Sequence, residues 1–459
     1  MILSNIRNKN DHIKQWTFAT IIYALITISL NSSFDAVMYI AIILSGIFVI
    51  LFNLSESILF LLGISVFENS FKVFGKLGWF ILVSIILLKW IVLHGFNYKT
   101  NKKTMYASIA LIIVALMTDL FSYGFKGQSI STVTLVILFC ILFDKEKDKS
   151  NLSAFWMTLF LGSGFVCAII FILFQYGGMS GFIHSFESSS YAFRFGHAYG
   201  DYVGGAMAIP LYSLLIISFS LFSMIEEKDA GKGNLPLLIC LDLFAIVFGS
   251  LTISRSFYVG VVIIVALFLI GQSKNNKTRG KKLIVLLIIS IMSVIVFNLY
   301  ADVINQLVGG LLYRVDSDIT GGTGGRVQIW ESCFSYLFTH PYGFITGFGS
   351  NGYPIIGQKQ NMLFSAGSHN LYIDIFMSWG IIGVISILVI ISQFKPEKGY
   401  LYVLRNKTLA ALPLLTLVVF CMTAMRTNSI KTVIYFFCCF VILNRGSDNN
   451  LHFIQEDLE

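Results

Sequence analysis

The chain is a succession of apolar runs, each about as long as a lipid bilayer is thick. A helix needs about 20 apolar residues to cross the hydrocarbon core, with a range of about 17 to 25. Runs of this kind recur between residues 16 and 445, and most of the polar segments between them are short. Because lipid cannot satisfy backbone N–H and C=O groups, we interpret each run as a transmembrane helix. The sequence therefore predicts an all-α, polytopic membrane bundle.

The composition leads to the same class of protein. Hydrophobic residues make up 56% of the chain and charged residues only 12%, whereas soluble domains carry about 25% charged residues. A globular domain must cover its core with polar side chains, and this chain has too few. The net charge of +8 would suggest nucleic acid in a soluble protein, but here the basic residues fall between apolar runs, as the positive-inside rule requires. We expect a lipid bilayer, and no nucleic acid, as a partner.

The apolar runs predict about fourteen spans. Their approximate cores are residues 16–31, 36–53, 56–68, 77–94, 105–122, 129–143, 153–175, 203–224, 235–252, 256–271, 283–300, 370–392, 408–424 and 430–445. The weakest is 56–68, which is short and ends in Glu, so a re-entrant segment is the alternative. The predicted organisation is helices 1–11 in residues 1–300, a large external loop with active-site residues in 301–369, and helices 12–14 with a cytoplasmic tail in 370–459.

Basic residues between the runs predict the orientation. Arg7, Lys9 and Lys14 precede the first run, and a basic cluster spans residues 274–282. With these segments inside, both termini are cytoplasmic and residues 301–368 are external. The first run lacks a small-residue cleavage site, so we expect an uncleaved helix of a multi-pass plasma-membrane protein.

The long loop at 301–368 is the first candidate for function, because long loops in compact proteins commonly carry it. It contains the densest glycine in the chain, at 309, 310, 321, 322, 324, 325, 343, 347, 349 and 352. We expect bends rather than a packed core of its own, and therefore a loop packed on the external face of the bundle.

An arginine interrupts the apolar stretch 235–271. At 1.5 Å per residue this stretch is far too long for one crossing, so it must form two helices with Ser254-Arg255-Ser256 at the outer turn. Arg255 then lies at the external mouth of the bundle. Either it reaches toward lipid headgroups or it binds a phosphate.

Further motifs follow in a defined order. They are Gly325-Arg326, Trp330, His340-Pro341, Gly347-Phe348-Gly349, Ser368-His369-Asn370 and Trp379-Gly380-Ile381-Ile382-Gly383. Together with Ser254-Arg255, this order resembles the O-antigen ligase and Wzy-type polymerase superfamily of bacterial cell-surface glycan enzymes, over about residues 250 to 383. Arg194 with Gly205, and Arg314 with Gly325, each form an Arg-x10-Gly pattern similar to one in external loops of some O-antigen polymerases.

The resemblance implies a reaction and its setting. An oligosaccharide would pass from a polyprenyl (undecaprenyl) diphosphate carrier to an acceptor sugar hydroxyl, with inversion and without a metal or other cofactor. The reaction would take place on the external, periplasmic face of the bacterial inner membrane. The implied partners are the carrier-linked oligosaccharide, the acceptor glycan, and a chain-length regulator and flippase of the same pathway.

The residue types suit that chemistry independently. A diphosphate leaving group needs cationic donors, and arginine offers a permanently charged, two-point grip for phosphate, which suits Arg255 and Arg326. The acceptor hydroxyl must lose a proton, and a histidine that is neutral near pH 7 can accept it, which suits His369. His340 precedes a proline and is interpreted as a turn residue.

Six further residues are candidates for binding the diphosphate or sugar. Arg194 and Arg314 could add cations, and Trp330 and Tyr353 offer aromatic faces for pyranose rings. Asn370 and Asp374 lie four positions apart, on one helix face, and could orient the site. The external acidic residues show no ligand spacing with a nearby histidine, which favours transfer without a metal.

Three functions stay open at this point. A polymerase would transfer to another carrier-linked repeat unit of O-antigen, capsule or exopolysaccharide, and a ligase would transfer to a terminal glycan. The loops show no large basic platform for such a terminal acceptor, which favours polymerase. A flippase of lipid-linked oligosaccharides is the alternative from another class, but it should carry paired cations deep in its spans, whereas here the cations gather outside.

Overall fold

The computed structural model of the chain is all-helical. It describes residues 2–32, 35–74, 77–94, 101–122, 127–146, 152–188, 194–203, 205–226, 234–270, 305, 308–310, 326–350, 352–421 and 430–448. Within these ranges there is no β-strand. The predicted all-α class is therefore confirmed for the described part of the chain.

Nineteen α-helices are described in those ranges. They are α1 (Ile2–Ser32), α2 (Asp35–Leu51), α3 (Leu54–Ile64), α4 (Leu77–His94), α5 (Lys102–Ser122), α6 (Gly127–Glu146), α7 (Ala154–Gln175), α8 (Gly178–Ser188), α9 (Gly200–Val203), α10 (Gly205–Glu226), α11 (Leu235–Leu251), α12 (Arg255–Ile270), α13 (Arg326–Thr339), α14 (Tyr342–Thr346), α15 (Gly352–Lys359), α16 (Leu371–Gln393), α17 (Tyr400–Asn406), α18 (Thr408–Cys421) and α19 (Ile430–Asp448). One hydrophobic core joins most of the long helices, with α10 packed against α7, α11, α12 and α18.

Several helices meet the length and hydropathy that a membrane crossing requires. Among the described residues these are His12–Ser32, Lys102–Leu120, Ala154–Gln175, Ala208–Glu226 and Leu371–Gln393, and the pair α17 and α18, bent by 116°, makes a sixth if it counts as one span. Shorter apolar helices accompany them. The chain is thus a multi-pass membrane protein. The count of fourteen spans remains a prediction, and the run 283–300 lies outside the described residues.

The weakest predicted span, 56–68, is not one straight α-helix. α3 has only 11 residues, or about 16 Å at the α-helical rise, and continues as the 3-10 helix Ser65–Phe74. A capping box between Asn53 and Glu56 begins α3, and every residue of α3 is buried. The segment therefore lies inside the bundle, where protein rather than lipid surrounds its change of helix type.

The stretch 235–271 forms two helices, as predicted. α11 ends at Leu251 and α12 begins at Arg255, joined by a turn in which Ile253 has a positive φ of 49°. The amide of Phe195 donates to the Leu251 carbonyl at 3.1 Å. The turn that carries Arg255 is thus braced by the segment that begins at Arg194.

The predicted absence of a core in the long loop is wrong. α13, α14, α15 and a 3-10 helix at Leu363–Ala366 enclose a small hydrophobic core of their own, which Met377 of α16 completes. Its other buried members are Cys333, Tyr336, Leu337, Phe348, Tyr353, Ile356 and Phe364. Gly347, Gly349 and Gly367 take positive φ in the turns between these helices, and aromatic residues between the turns supply much of the core.

A break in α16 fixes this loop to the bundle. At Gly380 the backbone leaves the helix, with φ 59° and ψ −160°. The amides of Phe348 and Gly349 donate to the carbonyls of Met377 and Ser378 at 2.9 and 2.8 Å. In an unbroken helix those carbonyls would bind amides four residues further along α16. The break therefore gives the loop two backbone hydrogen bonds into a predicted span.

We expect Gly380→Ala to destabilise the protein by about 2 kcal/mol or more, since this φ/ψ region is nearly exclusive to glycine. A Cβ at Gly380 would also lie 2.4 Å from the Ile345 carbonyl oxygen. The measurement is thermal unfolding in detergent. Gly46→Ala is the matched control, because its Cβ would meet nothing closer than 3.9 Å and alanine favours a helix interior. Equal melting temperatures of the two variants would contradict the role of the break.

Candidate functional site

The loop meets α16 at residues 368–370, called here the junction. Asn370 is the N-cap of α16, and its Oδ1 accepts hydrogen bonds from the amides of Tyr372 at 3.0 Å and Ile373 at 3.3 Å. The helix begins at Leu371. His369 therefore precedes the cap rather than beginning the helix, which corrects the predicted boundary. The side-chain oxygen of Asn370 is committed to the helix end.

His369 has an unusual backbone. Its φ is +56°, a left-handed conformation that costs a residue other than glycine about 1 to 3 kcal/mol. Its neighbours Ser368 and Asn370 are buried, and His369 itself is half-buried. The surrounding structure thus holds a strained histidine at the edge of the core.

Asp374 holds the junction from inside the first turn of α16. Its Oδ1 accepts hydrogen bonds from the Ser368 amide at 3.2 Å, from the Ser368 hydroxyl and from the Tyr353 hydroxyl. Asp374 and Tyr353 are each only 2% exposed. Burial, and then the Asp374 charge, raises the pKa of Tyr353 well above its usual range, so the phenol stays a donor. Both residues position the junction, and the predicted stacking of Tyr353 on a sugar does not fit its burial.

Trp330 ties α13 to the same junction. Its indole Nε1 donates to the Ser368 carbonyl at 3.0 Å, and its side chain is half-buried. Arg326 lies four residues earlier, so the two side chains share one face of α13. This places Arg326 one helical turn from the residue that contacts the junction.

Two arginines come within electrostatic range of each other. Arg326 and Arg255 are both half-buried and begin α13 and α12. Burial lowers the pKa of Arg326, and the positive charge of Arg255 lowers it further. Helix N-termini add partial positive charge at both positions. This concentration of like charge would favour the binding of an anion near both side chains.

Two other predicted arginines have different outcomes. Arg194 is half-buried and precedes Phe195, whose amide binds the Leu251 carbonyl beside the turn that carries Arg255. Gly205 is the first residue of α10. Arg314 and Gly325 lie outside the described residues, so their place in the site stays a prediction.

Sequence reasoning missed Asp119. This buried residue of α5 accepts hydrogen bonds from the Ser350 amide at 3.0 Å and the Ser350 hydroxyl at 3.0 Å. These hydrogen bonds hold Ser350 in place, next to Gly349 and therefore close to the break in α16. The sequence contains a signal for this residue: Asp119 lies in an apolar run, where a carboxylate is energetically costly unless it is paired.

His340 is a turn residue, as predicted. Its ring stacks on Tyr336 with centroids 4.1 Å apart, and its Nδ1 lies 3.0 Å from the Thr339 hydroxyl. It follows the last residue of α13, about 20 Å along the helix from Arg326 at 1.5 Å per residue. His340 is thus remote from the arginine pair.

We expect Asp374→Asn to lower the free energy of unfolding by about 2 kcal/mol, because hydrogen bonds to a charged acceptor are each worth about 1.5 to 3 kcal/mol. Tyr353→Phe removes one donor and should cost about 1 kcal/mol. Unfolding in denaturant, followed by tryptophan fluorescence, measures both. Equal stability of the Asp374→Asn variant and the wild type would remove Asp374 as the support of the junction.

The fold and the site together define a class: a multi-pass, all-helical membrane protein with a positively charged site beside a histidine-bearing junction. Residues 240–388 match the sequence model of the Wzy_C family, described as O-antigen ligase. The match supports the O-antigen ligase and Wzy superfamily and confirms the resemblance in the motifs. No curated protein and no solved structure matches the chain significantly. The matched residues include α12, the loop helices, the junction and most of α16, and the match supports an O-antigen ligase or polymerase-type membrane glycosyltransferase.

Proposed function

We propose that this protein transfers an oligosaccharide from polyprenyl diphosphate to an acceptor sugar hydroxyl, and that it polymerises repeat units of a surface polysaccharide. One observation carries the proposal: Arg326 and Arg255 come into electrostatic range next to the junction that holds His369. A lipid-linked oligosaccharide and an acceptor glycan are the substrates that the family implies.

The arginines bind the leaving group. When the bond from the anomeric carbon to the phosphate oxygen breaks, the electron pair stays on the diphosphate, and its negative charge develops between Arg326 and Arg255. Preorganised cations in a half-buried site stabilise that charge more than water does. Arg194, which precedes the Phe195 amide that binds the turn carrying Arg255, and Arg314 extend the positive surface toward the rest of the diphosphate or its sugar.

His369 removes the proton of the acceptor hydroxyl. As the acceptor oxygen forms its bond to the anomeric carbon, the imidazole takes up the proton, so the reaction balances without another reagent. A single displacement of this kind inverts the anomeric centre. Asp374, Tyr353 and Asn370 keep the junction in place and need not touch the sugar.

Trp330 is the aromatic residue that remains for sugar stacking. Its indole N–H donates a hydrogen bond to the junction. Its ring is half-buried and can offer a face to a pyranose. No three His, Cys, Asp or Glu side chains of the described ranges group as a metal site, and transfer without a metal remains part of the proposal.

The proposed orientation places the junction and the arginine pair outside. Residues 301–369 then form the external loop, both termini are cytoplasmic, and the membrane is the bacterial inner membrane. Lys102 and Lys103 begin α5 at its opposite end from Asp119, which agrees with basic residues on the cytoplasmic side. A chain-length regulator and a flippase of the same pathway are the proposed protein partners.

The decisive experiment is incubation of the purified full-length protein in liposomes with a polyprenyl-diphosphate oligosaccharide. A ladder of longer carrier-linked products from this donor alone supports a polymerase. Products that form only when a lipid-linked core glycan is added indicate a ligase, the second candidate. Movement of the donor across the bilayer without new glycosidic bonds indicates a flippase and overturns the proposal.

A further inference from the structure

The turn between α13 and α14, residues 334–346 and called here the corner, exposes large apolar side chains. Phe338 is 74% exposed, Tyr342 58% and Ile345 56%. All three belong to a loop that the sequence predicts to be external, where water would surround them. Exposed apolar side chains grouped in this way mark a surface that another molecule covers.

Charged residues are missing from this part of the sequence. Between Glu331 and Lys359 the chain has no Asp, Glu, Lys or Arg, a stretch longer than the about 20 residues of a membrane span. It is not one span, because it is divided among α13, α14 and α15. Along one exposed face of α13 the side chains change from Glu331 to Phe334 and Phe338. The end of α13 nearer the junction is therefore polar, and the end at the corner is apolar.

Hydrogen bonds show how deep this part of the loop lies. The amides of Phe348 and Gly349 bind the carbonyls of Met377 and Ser378, about 10 Å along α16 from Leu371. α16 meets the length and hydropathy of a span, with 23 residues. It is therefore about 35 Å long, close to the about 30 Å of the hydrocarbon core. A point about 10 Å from its end then lies inside the hydrocarbon.

The lipid-facing side of α16 continues into the corner. A Cβ at Gly380 would lie 2.4 Å from the Ile345 carbonyl oxygen, so the two backbones are in contact. Ile381 follows Gly380 and is exposed, as are Ile385 and Leu388 one and two turns further along α16. Exposed apolar side chains on one face of a spanning helix contact lipid, and the exposed Ile345 lies at the upper end of that face.

Contacts on both sides hold the corner against the bundle. The ring centroid of Phe338 lies 5.5 Å from that of Phe344, which lies 6.0 Å from that of Phe376 on α16. The Ser350 amide donates to the Asp119 carboxylate at 3.0 Å, and Asp119 belongs to the candidate span Lys102–Leu120. The corner is thus joined to two spans below their ends on the junction side.

We propose that the corner inserts into the bilayer leaflet on the junction side, with Phe338 and Ile345 among the acyl chains and Tyr342 at the level of the headgroups. Burial of apolar side chains favours insertion, and the corner has no Asp, Glu, Lys or Arg to desolvate. A tyrosine, with an apolar ring and a polar hydroxyl, suits the membrane interface. The partner is the phospholipid surface, and the corner enters one leaflet without crossing the membrane.

Insertion would also fix the height of the proposed anion site. Arg326 and Phe338 belong to the same helix, at most about 18 Å apart along its axis. A corner anchored in the bilayer therefore keeps Arg326 close to the membrane surface. The remaining loop helices can then be external although their turn is not.

The first test identifies the molecule that covers the corner. A photoactivatable phenylalanine analogue in place of Phe338 should form adducts with phospholipid when the full-length protein is illuminated in phosphatidylglycerol and phosphatidylethanolamine nanodiscs. The matched control carries the analogue at Glu331, on the same face of α13. It should give about 10-fold fewer adducts, because an interfacial helix is buried only about 5 to 10 Å deep. Mass spectrometry counts the adducts. Equal lipid adducts at both positions, or capture of a second copy of the chain from position 338, would overturn the proposal.

The second test measures access of water and needs no substrate. In nanodiscs, where both membrane faces are open, a charged maleimide should react with Phe338→Cys about 10-fold more slowly than with Glu331→Cys, since a thiol among acyl chains is rarely ionised. Cys240 is exposed on the protein, so the wild type supplies the background rate. Unfolding in sodium dodecyl sulfate should make the two variants react equally. Equal rates already in the nanodisc would show that water covers the corner and would refute its insertion.

Discussion

Replacement of His369 by asparagine is expected to reduce transfer about 100- to 10,000-fold, the usual contribution of a positioned base, without unfolding the protein. Asparagine tolerates positive φ better than most residues, so the backbone at +56° can persist while the basic imidazole is lost. The measurement is the initial rate of transfer by purified variants, together with binding of the carrier-linked donor and thermal stability.

Two further variants separate the side chain from the backbone. His369→Gly relieves the strain of the left-handed conformation and should raise stability slightly while transfer stays lost. His369→Gln should still insert into the membrane and bind the donor, but fail at transfer. Near-normal turnover by the asparagine or glycine variant would show that only the backbone conformation matters. A collapse of stability together with activity would make His369 a structural link.

The structure leaves few substitutes for His369 as the base. Asp374 lies near the junction, but its Oδ1 already accepts three hydrogen bonds inside the core. His340 is stacked on Tyr336 in a turn, at the other end of α13 from Arg326. The burial of the Asp374 carboxylate and the distance along α13 from His340 to Arg326 both depend on the fold, and residue type alone does not reveal them.

The apolar pattern predicted what depends on local length and polarity. A stretch too long for one span must turn back, so Arg255 was expected at a turn, and α11 and α12 meet there. The order of motifs predicted that Arg326, Trp330 and His369 belong together. Of these three, Trp330 contacts the junction directly, because its indole donates to the Ser368 carbonyl, 38 positions further along the chain.

The break at Gly380 depends on tertiary structure and could not be predicted from periodicity. The sequence around Gly380 is continuously apolar, as a straight span would be, and the break is stable because Phe348 and Gly349 bind the carbonyls of Met377 and Ser378. The burial of Tyr353 likewise depends on tertiary structure and could not be predicted from the sequence. An aromatic residue in a glycine-rich loop is compatible with sugar stacking or with a core, and only its 2% exposure decides.

Arg326→Lys should lower kcat/KM about 100- to 1,000-fold, although the charge is retained. A compact ammonium group cannot reproduce the two-point grip of a guanidinium on the diphosphate, and loss of one aligned donor to developing charge costs about 2.7 to 4 kcal/mol. Arg405→Lys, at an exposed position of α17, is the matched control and should retain the wild-type rate. A normal rate for Arg326→Lys would make Arg326 a structural residue.

Stability provides the independent check on the arginine pair. Burial and the neighbouring Arg255 both lower the pKa of Arg326, which means that the folded protein carries this charge at a cost. Arg326→Gln should therefore melt no lower than the wild type while it loses transfer, because the substitution removes the repulsion together with the grip on the anion.

The double variant Arg255→Gln, Arg326→Gln should lose less activity than the two single losses combined, since both side chains act on one anion. Additive losses with falling melting temperatures would instead place the arginines in separate structural roles.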